Sequence, residues 1–302
     1  MVDSTNFYLV EKLHSINHYQ TRNWNRESAT RYIFSIDGCI LEASFFIHFA
    51  DDQYVKSVVE LPVSFGCPIG CKHCASALLK PVRQLSAQDM WQMIVFILND
   101  QEIASNDKFL LTYSGIGEGA FRRDIIKEVS ERTYHHYPKS HFTLTTVGFD
   151  PSFVYFCEEL AKEIPVHYLQ ISYLHYDIDK LTTIIPKAKA LGFNFRHLIH
   201  AIHSTKLPVV RLNYVLVKGL NDSVQDWDKF IELLHGLEQK ILVRISQLNE
   251  TEASQKYGLL PVSEEILEVL NKRLQLNGFK SYIFVSEHND NMNCGQLAWR
   301  YS

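Results

Sequence analysis

The chain has 302 residues, 46% hydrophobic and 21% charged, with a formal net charge of −4. No apolar run approaches the roughly 20 residues a bilayer span requires, and Met1-Val2-Asp3-Ser4-Thr5 lacks the basic flank and apolar core of an export signal. The charge balance excludes a global basic footprint for nucleic acid. Six cysteines are too few for a disulfide scaffold, so a cytoplasmic chain with clustered metal-binding thiols and no membrane association is expected.

In chain order, Phe7 to Leu13 reads as a short helix. From Thr30 the pattern turns to strands: residues 31–36, a turn at Asp37-Gly38, residues 39–47, a turn at Asp51-Asp52, then residues 54–61. Asp-Gly between β-rich runs is a hairpin signal, so an antiparallel meander is expected. Beyond it, helices and strands alternate. Strands are expected at 109–113, 142–146, 167–172, 209–216, 241–245 and 282–285, with helices at 86–98, 124–135, 151–162, 178–190, 196–203, 223–234 and 263–276. Ser86 with Asp89, Asp150-Pro151, and Ser223 with Asp226 mark helix starts. Repeated βα units imply parallel strands with right-handed crossovers, hence an α/β fold: a partial (β/α)6 TIM-like barrel with an N-terminal antiparallel β extension. Residues 1–62 would form the helix and β-meander extension, and residues 63–302 the barrel with a C-terminal Cys-Gly-Gln-Leu segment.

Cys67, Cys71 and Cys74 are spaced Cys-x3-Cys-x2-Cys directly after a strand. Three thiolates on one loop can hold three irons of a 4Fe-4S cluster and leave the fourth iron open for a substrate. Zinc is the competing reading. His73 between two of the cysteines is poorly placed as a fourth ligand, and no second Cys-x2-Cys pair exists. The other polar motifs also follow strands: Ser114 to Gly119, Thr145 to Gly148, Ser172 to His175, and Ser246 to Asn249. Chemistry in βα barrels sits at the strand C-terminal ends, so this shared placement points to one site. Taken singly, Thr145, Ser172 and Asn249 read as loop residues satisfied locally, and Cys294 as a small buried hydrophobe.

The cysteine spacing resembles the signature of the radical SAM superfamily, and Gly115-Ile116-Gly117-Glu118-Gly119 resembles its glycine-glycine-acid segment. The resemblance narrows to the RlmN/Cfr-like group. It is carried by the Arg31–Pro62 meander, the cysteine loop, Gly115 to Glu118, Thr145 to Gly148, Ser172 with His175, Lys218-Gly219-Leu220-Asn221-Asp222-Ser223, Asn249 and Asn293-Cys294-Gly295-Gln296-Leu297. It implies a cluster on Cys67, Cys71 and Cys74. It also implies S-adenosylmethionine bound by Gly117, Glu118, Thr145, Ser172, His175 and Asn249, and Cys294 as the methyl carrier. A reducing electron donor such as flavodoxin or ferredoxin is implied as partner.

Two departures stand out. Where the group has a resolving cysteine, seven positions before the first cluster cysteine, this chain has Glu60, which could remove a proton but not form the disulfide; either another thiol substitutes, with Cys39 as a candidate on a strand taken to lie opposite residues 60–64 within a register error of two, or the reaction stops differently. About 27 residues precede the meander, too few for the group's small helical RNA-gripping domain. The expected activity is therefore transfer of a methyl-derived carbon through Cys294 to an unactivated carbon of a nucleotide-like small molecule, with RNA or a peptide as other substrates. The alternatives are a descendant that uses the 5′-deoxyadenosyl radical for another modification, or a non-catalytic metal-bound adaptor.

Overall fold

The computed structural model describes residues 6–18, 25–79, 84–285, 298 and 300–301. Four antiparallel strands open the chain: β1 (Phe7–His18), β2 (Arg26–Ile36), β3 (Cys39–Ala50) and β4 (Gln53–Leu61). The helix expected at Phe7–Leu13 is instead the first half of β1. A bulge between Leu9 and Glu11 shifts the register against β2. Half-buried and exposed residues still alternate along all of β1, but Tyr8 and Val10 are apolar residues on its exposed side, and they blur the alternation in the sequence. Both turn assignments hold, with Asp37, Asp51 and Asp52 at positive φ.

Six crossovers follow, interleaving α1 (Ala87–Asp100), β5 (Leu110–Tyr113), α2 (Arg123–His136), β6 (His141–Thr146), α3 (Ser152–Leu160) and β7 (Val166–Tyr173). The chain continues through α4 (Ile178–Ile184), α5 (Phe195–Ser204), β8 (Val210–Leu216), α6 (Val224–Leu234), β9 (Ile241–Gln247), α7 (Glu252–Lys256), α8 (Glu264–Leu276) and β10 (Lys280–Phe284). Ser86 and Asp89 form a reciprocal capping box on α1, and the Ser223 hydroxyl accepts the Asp226 amide at the start of α6. The helix expected from 178 to 190 stops at Ile184, because Pro186 biases Ile185 away from helical geometry.

All ten strands make one sheet in sequence order. β4 pairs antiparallel with β3 and parallel with β5, so the meander and the parallel strands β4 to β10 share a continuous sheet. Side chains alternate across a strand, and the register sorts them into two faces. One face is covered by helices. Tyr32 and Phe34 meet Phe96 of α1, Tyr113 hydrogen-bonds Ser130 of α2 at 2.6 Å, Tyr173 packs on Phe195 of α5, and Tyr214 on Trp227 of α6. The other face carries Glu27, Arg31, Glu42, Ser44, Lys56, Glu60, Thr112, Thr143, Thr145, Gln170, Ser172, Arg211, Asn213, Arg244 and Ser246. Thr251, just past β9, donates to the His73 carbonyl in the loop after β4 at 3.0 Å, though the two strands stand five places apart in the sheet. On a flat sheet, strands about 4.8 Å apart would separate them by about 24 Å. The sheet therefore curls, and its polar face is the concave one.

Candidate active site

The cysteine loop is pinned to loops on three sides. Ser114 and Val63 exchange backbone hydrogen bonds with Leu61 and Ile116 at 3.1 and 2.9 Å, joining the loop to the end of β5. The Lys72 amide donates to the Ile184 carbonyl at 2.9 Å, Lys187 Nζ to the Pro68 carbonyl at 2.8 Å, and Thr251 Oγ1 to the His73 carbonyl at 3.0 Å. Thr251 also caps α7, a short helix absent from the sequence reading because five residues carry no resolvable periodicity. Gly117 explains why the segment after β5 is glycine-rich. Its φ is +112°, and a Cβ there would sit 2.5 Å from Ser64 Oγ and 2.6 Å from Val63 Cγ2. Backbone must approach backbone here for the two loops to share one site.

Burial pushes the Cys67 thiol up to about 12, with Cys74 adding to it, and pushes Cys71 well above its ordinary value, with Cys74, Cys67 and Glu118 contributing. The thiols thus lie within electrostatic reach of each other, and only bound cations would draw them into the thiolate form. Among the described residues no three His, Cys, Asp or Glu side chains converge on one ion. The donor set and its spacing fit the cluster.

The remaining expected residues separate into those the concave face brings together and those it does not. Glu118 is buried, and its carboxylate accepts the Ala120 amide at 3.0 Å, the Val147 amide at 2.9 Å and the Thr146 hydroxyl. Burial raises its pKa, against those three donors. Three of a carboxylate's roughly four acceptor sites are thereby engaged, so Glu118 joins the β5 and β6 loops and backbone groups of the glycine segment are left for a ligand. Thr145 donates to the Tyr113 carbonyl on the concave side. Ser172 accepts from Asn213 at 3.3 Å, Asn213 accepts from Ser246 at 2.6 Å, and Ser246 accepts from Arg244 at 3.2 Å, a polar relay across β7, β8 and β9. Asn249 lies just past β9, its carbonyl 3.4 Å from Ser254 Oγ.

Glu60 is on the concave face beside Arg31, whose Nη1 is 3.9 Å from Glu60 Oε1 and 3.5 Å from Glu42 Oε1. Glu42 accepts the Ala298 amide at 3.2 Å. Cys294 stands four residues before Ala298 and lies outside the described residues.

Two expected placements are corrected. The register sets Ser44, not Cys39, opposite Glu60. Cys39 is five residues further along β3, about 16 Å, and the odd step puts it on the helix-covered face, packed against the core. It cannot stand in for a thiol at position 60. His175 falls on the same covered side: it is wholly buried, its Nδ1 accepts the Asp177 amide at 2.9 Å, and its Nε2 lies 3.5 Å from Asp226 at the start of α6. Burial lowers its pKa, and its contacts turn the ring toward the starts of α4 and α6 rather than the concave face. Asn221 is likewise internal, its amide donating to the Leu174 and Val215 carbonyls at 2.6 and 2.8 Å.

Arg31, Glu42 and Asn213 were not singled out in the sequence as site residues. Their signal is polar alternation, as in Arg211-Leu212-Asn213-Tyr214, within strands that in a fully covered parallel sheet would read as continuous apolar runs.

No protein-family model matches the chain. It is 25% identical over 294 residues to a probable RNA methyltransferase of Rhodopirellula baltica, covering 95% of this chain and 74% of the relative. It is 26% identical over 216 residues to a probable dual-specificity RNA methyltransferase RlmN of Chlorobium phaeobacteroides, covering 66% of this chain and 59% of the relative. With a third relative, the RlmN of Helicobacter hepaticus, the match spans 49% of that protein's length. A radical SAM methyltransferase structure from Sphaerobacter thermophilus superposes with a TM-score of 0.74 at 21% identity, over 97% of this chain and 81% of that one, and shares its partial-barrel fold. No helix among the described residues is long and apolar enough to cross a membrane. Members of the radical SAM superfamily use a 4Fe-4S cluster and S-adenosylmethionine. With these relatives, this fold and a three-thiol loop at the strand ends, the chain resembles the RlmN/Cfr-like group of the radical SAM superfamily.

Proposed function

We propose that the protein is a radical SAM methyltransferase whose acceptor is an unactivated carbon of a nucleotide-like substrate, with Cys294 as the carrier. Cys67, Cys71 and Cys74 would hold the cluster. The Gly115–Gly117 backbone, Thr145, Ser172 and Asn249 would hold S-adenosylmethionine across the strand ends. When bound and reduced by an electron donor such as flavodoxin or ferredoxin, the pair supplies a 5′-deoxyadenosyl radical. The chain's own part is to exclude water and fix positions: the loop is pinned on three sides, and Glu118 joins the β5 and β6 loops. The observation that carries the reading is the three-thiol loop seated on Gly117.

Glu60 favours a second reading. A carboxylate can accept a proton but cannot form a disulfide with Cys294, so a product joined to Cys294 would need another route of release. A descendant that keeps the radical step without methyl transfer accommodates Glu60 directly.

Anaerobically reconstituted protein with a chemical reductant is expected to form 5′-deoxyadenosine, and mass spectrometry to find a methyl group on Cys294. An unmodified Cys294 alongside active SAM cleavage selects the second reading. No 5′-deoxyadenosine under any condition leaves only a non-catalytic adaptor.

A further inference from the structure

The cysteine loop runs from the end of β4 to the start of α1, and one side chain holds both of its roots. Arg122 stands at the start of α2 and is buried. Its Nε donates to the Val63 carbonyl at 3.2 Å, on the outgoing root. Its Nη1 donates to Gln84 Oε1 and its Nη2 to the Leu85 carbonyl, both on the returning root. Beside those contacts the two roots meet directly, through an antiparallel bridge between Ser64 and Gln84. Cys67, Cys71 and Cys74 all lie between the bridged residues.

The helix gives no reason for an arginine at this position. An N-cap favours a short side chain whose oxygen accepts a free amide, and a cation at the positive end of a helix is unfavourable. Arg122 makes no side-chain cap. Its backbone is nevertheless fixed: the amide donates to the Gly119 carbonyl at 2.9 Å, and the carbonyl accepts the Ile126 amide at 2.9 Å. From that mounting the planar fork of donors reaches acceptors on two separate stretches of chain, which the single ammonium of a lysine could not span. The connection from β5 to α2 thus holds the cysteine loop at two points, with Gly117 packed against Val63 and Ser64, and with Arg122 across the roots.

We propose that Arg122 is the clasp of the cysteine loop, a positioning residue that keeps the two roots together and so shields the three thiols and retains the cluster they hold. The retention of a cluster rests on the reading above; the closure of the loop is a property of the chain alone.

The test compares wild-type full chain with Arg122→Gln and Arg122→Lys in two readouts. Before reconstitution, iodoacetamide labelling of each thiol is followed by mass spectrometry. Cys71 is expected to react about tenfold or more faster in both variants, because losing the charged hydrogen bonds opens the loop locally. Cys157, wholly buried in α3, should react at its wild-type rate, which a general loss of stability would not allow. After anaerobic reconstitution, iron should pass to a chelator about tenfold or more faster from both variants. Equal Cys71 rates in wild type and variants overturn the proposal, as does parallel acceleration of Cys71 and Cys157 in a folded variant. A lysine variant that matches wild type overturns it too, since one point of attachment would then suffice. Unchanged iron release from reconstituted variants overturns the role in retention. If neither Arg122 variant folds, Gln84→Ala decides from an exposed position: Cys71 about threefold or more faster with Cys157 unchanged supports the clasp, and equal rates overturn it. A wild-type chain that takes up no iron defeats the cluster reading, and the labelling comparison still decides the clasp.

Discussion

On the helix-covered side of β8, Tyr214 packs against Trp227 and Phe230 with ring centroids 5.0 and 4.3 Å apart, all fully buried. On the concave side of the same strand, one residue before Tyr214 and three before it, stand Asn213 and Arg211. The covered face gains stability from apolar area removed from water, roughly 25 cal/mol per Å². The concave face holds buried cations, carboxylates and amides, some without partners, which oppose folding. A face that is costly to keep polar is the face where ligands are handled, and the contrast indicates which residues answer to chemistry and which to packing.

The comparison breaks most sharply at the cluster. Cys71→Ala is expected to reduce 5′-deoxyadenosine formation to background and abolish the visible absorbance of reconstituted protein, while chemical denaturation stays cooperative. On the covered face, Trp227→Ala should cost about 3–5 kcal/mol, read from the denaturation midpoint, since it removes a fully buried ring and the hydrogen bond from its Nε1 to the Leu270 carbonyl.

On the concave face the sign should reverse. Lys56 has a folded-state pKa of about 8 against a model value of 10.5. Below pH 8 both folded and unfolded states hold the proton, and the burial penalty is present in full. Between the two values the unfolded chain binds more protons, so stability rises with pH. Lys56→Met is therefore expected to stabilise the protein at neutral pH by about 2–3 kcal/mol, an advantage that fades as pH rises from 8 toward 10.5. A destabilised variant at neutral pH would mean that Lys56 is compensated after all.

Gly117→Ala should cost about 1–3 kcal/mol and weaken S-adenosylmethionine binding, because the residue combines positive φ with backbone contact to the cysteine loop. The smallest effect is expected at Cys39→Ala, with SAM cleavage and turnover equal to wild type. A large loss of turnover there would show that the register argument misplaces the thiol.

Much of the architecture is legible in the sequence because its signals are local. Asp37-Gly38 announces a hairpin, Ser86 with Asp89 a capping box, and the Cys-x3-Cys-x2-Cys loop needs only contiguous residues. Errors arose where a local signal was blurred or cut short. Tyr8 and Val10 on the exposed side of β1 hid its alternation, and Pro186 cut α4 short of its periodic pattern.

What the sequence by itself determined is most of the order of strands and helices from β2 onward and the contiguous three-cysteine loop, since propensity, capping and cysteine spacing act within a few residues. Which face each side chain occupies was decided only by the tertiary structure. Register has a period of two, so a single-residue offset moved Cys39 away from Glu60, and strand parity set His175 against Asp226. Curling of the sheet then brought Thr251, past β9, onto the His73 carbonyl in the loop after β4. Such proximity arises from long-range pairing, and no window of neighbouring residues contains it.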